Sequence, residues 1–177
     1  DAFSEYLSNS AAYGPGSNSE TASLIHLVLK SKAGFIEEDE FDTGRRRLLN
    51  FGHSFAHALE ASSNFGVQHG IAVALGMLSA IQHSNSHGLQ TVQDLQTYLT
   101  QLLRPFSAEI STLSGEVDWV KFRLSLKNDK KNSTDQINLV LPDSRGFLRM
   151  QGFRSDITEL SRATDSIQWA LAEVGNN

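Results

Sequence analysis

The segment at residues 69–88, HGIAVALGMLSAIQHSNSHG, constrains the fold more than any other part of the chain. It begins with a His-Gly pair and continues as an apolar run that is rich in alanine and glycine. Small side chains let another backbone or a ligand approach a helix closely. The hydrophobic spacing predicts a helix that begins near His69, packs tightly against a neighbour and ends at Gly88.

Five other segments have the apolar spacing that is typical of helices. Three of these helices have a candidate N-cap, which is a side chain that can accept a hydrogen bond from the first helical turn. The predicted helices cover residues 19–39, 51–62, 91–103, 115–129 and 155–174, and the predicted caps are Ser19 or Thr21, Asn50 and Ser155.

The spacing of apolar residues changes after residue 135. QINLVLP at 136–142 and FLRMQG at 147–152 are separated by the turn sequence DSRG, which predicts a β-hairpin. Neither an internal repeat nor a glycine-rich nucleotide-binding motif is present in the sequence. The predicted fold class is therefore mainly α: a helical bundle with one small β-hairpin.

Composition excludes several classes of protein. The chain has 177 residues, which suits one domain, and its formal net charge of −5 disfavours nucleic-acid binding. It has no cysteine, so disulfides and thiolate zinc sites are excluded. No apolar run approaches a membrane span of about 20 residues. The first residues do not resemble a signal peptide. They also lack an initiator Met, so we expect this sequence to be a piece of a longer chain.

Three of the six histidines lie close together in the sequence. His53 and His57 are four residues apart and share one helix face, Glu60 is three residues further, and His69 begins the next predicted helix. If the two helices are antiparallel neighbours, His69 can face His53, and both can bind one metal ion. Ser54 stands where the zinc metalloprotease motif requires glutamate, which excludes that class.

The alternative for these histidines is ordinary capping or hydrogen bonding. The other three histidines have no partner at a matching spacing, so packing or solvated roles are expected for His26, His83 and His87.

Basic residues border the histidine segment on both sides. Arginine and lysine bind carboxylate and phosphate groups, so cations beside a metal indicate a small anionic substrate. The alternative is that the arginines form surface ion pairs and that the lysines belong to a polar turn. The candidates for substrate binding are Lys32, Arg46, Lys130 and Lys131.

A longer pattern that contains these residues resembles the 3-dehydroquinate synthase family, a branch of the sugar-phosphate cyclases. The resemblance is carried by KAGFIEEDEFDTGRRRLLNFGHSFAHALE, by HGIAVALGM, by NDKK and by INLVLP. It covers about residues 1–152 and extends weakly into the last helix. Several separated motifs are far more specific than the spacing of two histidines.

The resemblance implies that residues 1–177 are the family's C-terminal helical domain, which binds metal and substrate. The family's N-terminal α/β domain, which binds NAD+, is expected to be absent from this chain, and no NAD+-binding residue is assigned. The resemblance implies zinc, or cobalt, held by one glutamate and two histidines, with His53 and His69 as those histidines. The glutamate belongs to an AEVIK-type segment that is expected to precede residue 1.

The resemblance also assigns the groups that bind the substrate carboxylate, Lys32 and Arg46. This sequence departs mildly from the family pattern, because Asp42 replaces a usual Glu, Ser54 a usual Thr and Ala56 a usual Gly. These departures bear on substrate detail more than on fold.

On the phosphate side, the resemblance implies that Asn50, His57 and Lys130 are the catalytic residues, since they lie near the phosphate that is eliminated. Lys131 is the neighbouring alternative to Lys130. Elimination of phosphate requires cations and hydrogen-bond donors near the leaving oxygen.

The implied enzyme is a carbon–oxygen lyase of the shikimate pathway for aromatic amino acids. It cyclises 3-deoxy-D-arabino-heptulosonate 7-phosphate to 3-dehydroquinate with loss of phosphate, using zinc and NAD+. A cytoplasmic homodimer that does not bind membranes or nucleic acid is expected, and the fragment alone is expected to be inactive. Two alternatives remain: a sister cyclase of the 2-epi-5-epi-valiolone or 2-deoxy-scyllo-inosose synthase type, and a stand-alone non-catalytic helical module.

Overall fold

The computed structural model describes residues 18–41, 43–84, 86, 88–129 and 135–175. The chain divides into two compact units, residues 1–47 and residues 48–177, which are described separately below. Predictions that concern Asp42, His87, Lys130 and Lys131 lie outside the described residues.

The first unit contains helix α1, Asn18–Glu38, which confirms the helix predicted at 19–39. A loop follows in which the Asp39 carboxylate accepts hydrogen bonds from three backbone N–H groups, those of Thr43, Gly44 and Arg46. Arg45 forms an ion pair with Glu38 at 2.6 Å. A short 3-10 helix, Arg45–Asn50, begins directly after this loop.

The second unit is a bundle of helices with one two-stranded antiparallel sheet. None of the helices in the described part of the chain is both long and apolar enough to cross a membrane. In chain order the elements are α2 His53–Ser62, α3 His69–Ser84, α4 Gln90–Leu103, a 3-10 turn Arg104–Phe106, α5 Ser107–Glu116, α6 Trp119–Lys127, β1 Gln136–Pro142, β2 Leu148–Arg154 and α7 Ile157–Gly175.

Helix α3 occupies the centre of the second unit, as its alanine- and glycine-rich sequence predicts. Ten of its sixteen residues are buried, and it packs against α2, α4, α7 and β1. The backbone of α3 at Gly76 lies very close to that of Gly52, the residue before α2. A Cβ atom at Gly52 would lie 2.5 Å from the Met77 backbone nitrogen, so only glycines let the two backbones come this close.

The hairpin covers one side of α3 with the apolar face of β1. Its register pairs Gln136 with Arg154 and Pro142 with Leu148, and the connection turns through Gly146 at φ 82°. Ile137, Leu139 and Leu141 alternate along β1 and are nearly fully buried. The predicted hairpin is therefore confirmed, with β2 one residue longer than expected and ending two residues later.

Three sequence predictions about helix boundaries are wrong. Asn50 is not the N-cap of α2, because it ends the preceding 3-10 helix and Gly52 is the cap. The helix predicted at 115–129 is interrupted at 117–118, where Asp118 caps a new helix by accepting from the backbone N–H groups of the next turn. Asp156 directly precedes α7 and accepts a hydrogen bond from the Glu159 N–H, so the cap lies one residue later than predicted.

Two smaller differences concern the ends of helices. Helix α3 ends at Ser84, four residues before the predicted end at Gly88. Helix α5, Ser107–Glu116, lies almost entirely in a stretch without a predicted element. Its sequence, SAEISTLSGE, has only two buried apolar residues, Ile110 and Leu113, so it shows too little hydrophobic periodicity to predict a helix.

Candidate metal centre

The first element of the site is the start of α2. Gly52 has φ 81°, a conformation that glycine adopts readily, and it turns the chain from the 3-10 helix into α2. His53 is therefore the first residue of α2, and His57 lies one turn further along the same face. His53 is half-buried and His57 is exposed.

The second element is the tight connection from α2 to α3. Asn64 and Phe65 both have positive φ, 52° and 60°, and the Phe65 N–H donates to the Glu60 carbonyl oxygen at 2.7 Å. This reversal makes α2 and α3 antiparallel neighbours and brings His69, the first residue of α3, back beside α2. The antiparallel arrangement that a site shared by His53 and His69 requires is therefore present.

The rings of the three histidines form one cluster. The His53 and His69 centroids are 5.7 Å apart, those of His53 and His57 are 5.8 Å apart, and those of His57 and His69 are 6.3 Å apart. The sequence predicted two converging imidazoles, and the structure brings together three.

The cluster has dimensions that suit a shared metal ion. With Zn–N bonds of about 2.0–2.1 Å, two rings that bind one ion have centroids about 5–6 Å apart. The Nδ1 atom of His53 lies 3.3 Å from the Phe51 carbonyl oxygen, and Nδ1 of His69 lies 2.9 Å from Glu60 Oε1. In both rings Nδ1 faces an oxygen acceptor, which is the usual arrangement in histidines that bind a metal through Nε2.

The described residues do not by themselves complete a metal site. Among them, no group of three or more histidine, cysteine, aspartate or glutamate side chains has the arrangement of a metal-binding set. Two imidazoles with neutral donor nitrogens fit zinc or cobalt in chemical type, and a catalytic zinc requires about three protein ligands. The donor set therefore fits the implied metal and needs one further ligand.

A cavity of about 550 Å³ adjoins the histidine cluster. His57 lies on its wall, so the exposed face of the cluster opens into a space that could hold a small molecule. Its other lining residues come from the end of α2 and from α6: Ala61, Lys121, Leu124, Ser125, Asn128 and Asp129.

The candidate carboxylate-binding residues Lys32 and Arg46 belong to the first unit. Lys32 is exposed on α1, and Arg46 is half-buried and donates to the Glu40 carbonyl oxygen at 2.9 Å. Hydrogen bonds from the backbone N–H groups, that of Thr43 foremost, hold the pKa of the Asp39 carboxyl below its ordinary value. The loop that carries Arg46 is thus organised around an ionised aspartate.

Of the phosphate-side residues, the structure describes two. Asn50 is half-buried at the end of the 3-10 helix, three residues before His53, and His57 lies on the wall of the cavity. Lys130 and Lys131 lie outside the described residues. Asp129, the residue before them, also lines the cavity.

The sequence does not predict two contacts of this region. Its spacing places Glu60 on or near the histidine face of α2, but it does not indicate that the Glu60 carboxylate contacts Nδ1 of His69. It also gives no sign that Lys121 lines the cavity and donates to Asn64 Oδ1 at 2.8 Å. Both contacts connect separate elements, so no periodic signal within one element could have indicated them.

A comparison with known families identifies the family of the chain. A family model described as "3-dehydroquinate synthase C-terminal" matches residues 1–132, about three quarters of the chain. This chain belongs to that family. The matched range includes all three clustered histidines and both candidate carboxylate-binding residues.

Curated relatives carry the same name. A 3-dehydroquinate synthase from Shewanella halifaxensis is 38% identical over 136 residues, which are 76% of this chain and 36% of that protein. The Streptococcus pyogenes serotype M6 enzyme is 34% identical over 125 residues, 70% of this chain and 35% of its own length. The Colwellia psychrerythraea enzyme is 30% identical over 152 residues, 85% and 42% respectively. The chain thus spans about two fifths, or less, of the curated relatives that it matches.

Proposed function

We propose that this chain is the metal- and substrate-binding domain of a 3-dehydroquinate synthase, acting together with an NAD+-binding α/β domain. The whole enzyme would convert 3-deoxy-D-arabino-heptulosonate 7-phosphate to 3-dehydroquinate and phosphate, as a carbon–oxygen lyase of the shikimate pathway. One observation carries the proposal: three histidine rings converge beside a cavity in a chain of this family.

The histidines divide into two roles in this proposal. His53 and His69 would hold a zinc or cobalt ion through Nε2, because their Nδ1 atoms already face oxygen acceptors. A third ligand, expected to be a glutamate, would complete the set. When bound, the ion supplies Lewis-acid polarisation of a substrate oxygen, and NAD+ supplies the hydride acceptor.

The remaining side chains would bind and orient the substrate. His57, on the cavity wall, and Asn50 would donate hydrogen bonds to the leaving phosphate, and Lys130 or Lys131 would add positive charge there. Lys32 and Arg46 would hold the substrate carboxylate, for which the planar guanidinium of Arg46 is suited. We expect a cytoplasmic homodimer, as the resemblance implies.

The first test concerns metal binding by the chain as it stands. We expect weak zinc binding, because two imidazoles are too few ligands, and we expect His53→Ala or His69→Ala to abolish it. His26→Ala is the matched control, since His26 is an exposed histidine on α1. Isothermal titration measures the affinity. Undiminished zinc binding by His53→Ala and His69→Ala would contradict the ligand assignment.

The second test concerns the reaction. The reading frame upstream of this chain is expressed together with it, and phosphate release is measured from 3-deoxy-D-arabino-heptulosonate 7-phosphate, sedoheptulose 7-phosphate and glucose 6-phosphate in turn. We expect release from the first substrate only, and none from the 177-residue chain alone. Release from one of the other two would identify a sister cyclase, and an upstream stop codon followed by a start codon would favour a stand-alone module.

A further inference from the structure

Glu60 makes a close polar contact with the histidine cluster. Its Oε1 lies 2.9 Å from Nδ1 of His69. The Glu60 side chain is 14% exposed, whereas that of His69 is 60% exposed. A largely buried carboxylate therefore holds an imidazole that otherwise projects into solvent.

The backbone fixes this contact. Glu60 lies in the last turn of α2, and its carbonyl oxygen accepts the hydrogen bond from Phe65 that closes the reversal into α3. The same residue thus closes the turn through its backbone and contacts the first residue of α3 through its side chain. Two adjacent residues with positive φ, Asn64 and Phe65, make the reversal tight enough for this double contact.

The contact determines which imidazole nitrogen carries the proton. A carboxylate only accepts hydrogen bonds, so Nδ1 of His69 carries the hydrogen in this contact, and in the neutral ring Nε2 then has the lone pair. Metal-binding histidines usually donate their second ring nitrogen to a carboxylate or a carbonyl group in this way, which fixes the ring and strengthens it as a ligand. For His53, the Phe51 carbonyl oxygen has the same position relative to Nδ1.

We propose that Glu60 is a positioning residue for His69: it holds the Nδ1–H tautomer and the ring orientation that direct Nε2 toward the metal. This inference rests on the proposed metal site, but it assigns Glu60 a role through His69 rather than as a ligand. The direct contact to Nδ1 supports this role, because the Glu60 oxygen that faces His69 is engaged by the imidazole.

The experiment separates Glu60 from the metal site itself. Nitrogen-15 histidine spectra of the metal-free chain are recorded at pH 8, and zinc is then added in steps. For the wild type we expect the Nδ1–H tautomer of His69 before zinc and a shift of its Nε2 signal on binding. Glu60→Ala should mix the tautomers and weaken zinc binding about 10- to 100-fold.

Two further variants make the result specific. Glu60→Gln keeps an oxygen that can accept from Nδ1, so we expect it to retain the tautomer and to lose less zinc affinity than Glu60→Ala. Glu109→Ala removes an exposed carboxylate from the first turn of α5 and should change neither measurement. Glu60→Gln also preserves side-chain shape, so it remains informative should Glu60→Ala fail to fold.

The outcomes distinguish the two proposals. A wild-type chain that binds no zinc would overturn the metal site. A wild type that binds zinc, with Glu60→Ala binding equally well or keeping an unchanged His69 tautomer, would overturn the positioning role alone. If Glu60→Gln lost all zinc binding but retained the His69 tautomer, Glu60 would be a direct metal ligand. That result would also overturn the positioning role.

Discussion

The close approach of α2 and α3 at Gly76 gives the sharpest prediction about stability. In Gly76→Ala, the new Cβ would overlap the Gly52 carbonyl oxygen and would lie 3.0 Å from the Gly52 carbonyl carbon and 3.1 Å from the Ala56 backbone nitrogen. All three are backbone atoms, so no side-chain rotation can relieve the overlap. The Gly52 carbonyl also accepts the hydrogen bond from Ala56 N–H that begins α2.

Two opposing effects set the magnitude. Alanine is favoured over glycine inside a helix by about 1 kcal/mol. Overpacking costs about 1–3 kcal/mol, and backbone atoms on the opposing side place this case at the upper end of that range. We therefore expect Gly76→Ala to lower the free energy of unfolding by about 2 kcal/mol. With a urea m-value of about 2 kcal/mol/M, the unfolding midpoint falls by about 1 M.

The assay is urea unfolding followed by circular dichroism, with Gly70→Ala as the matched control. Gly70 lies on the same helix, and a Cβ there would meet nothing within 4 Å. We expect Gly70→Ala to be neutral or slightly stabilising. A Gly76→Ala midpoint at or above that of Gly70→Ala would refute the reasoning, because it would show that α2 and α3 do not meet at these glycines.

Two further predictions concern a helix cap and a buried histidine. Asp118→Ala should cost about 1 kcal/mol in unfolding free energy, because Asp118 accepts from the N–H groups of Val120 and Lys121, whereas Asp118→Asn should be near neutral. Burial lowers the pKa of His83 despite its contact with Glu159. As the pH falls below about 6.5, this histidine is therefore protonated more readily in the unfolded chain than in the folded one. The free energy of unfolding should therefore fall as pH decreases, by at most about 1.4 kcal/mol per pH unit. Thermal unfolding measured from pH 8 to 5 should show a weaker pH dependence in His83→Gln than in the wild type. An equal dependence of stability on pH in the two proteins would contradict this prediction.

His83 also illustrates what sequence could not distinguish. Packing and solvated roles were both open for it, and the structure buries it at 1% exposure between α3, α7 and the hairpin. Its Nε2 lies 2.7 Å from Glu159, its carbonyl oxygen accepts from Arg162, and its ring meets Phe55 and Phe153 edge-on. These partners are up to 79 residues away in sequence, so no local pattern could indicate them.

The helix boundaries that failed share a physical cause. Asparagine is a preferred N-cap residue, but Asn50 does not cap α2, because the chain turns through a left-handed Gly52 at its close approach to Gly76 and the helix begins only at His53. At 117–118, Asp118 N–H donates to the Ser62 carbonyl oxygen at 3.1 Å, which ties the break to the end of α2. In both places, a contact with another element overrides local preference.

The sequence by itself indicated the helical class, the hairpin and the shared helix face of His53 and His57, because residue spacing within an element is a local property of the chain. Only the tertiary structure decided that His69 lies beside them, that Glu60 faces Nδ1 of His69, and that a cavity opens beside the cluster. These features depend on the geometry of the chain reversal between α2 and α3. That geometry results from packing between the two helices and is not a property of the sequence of either helix alone.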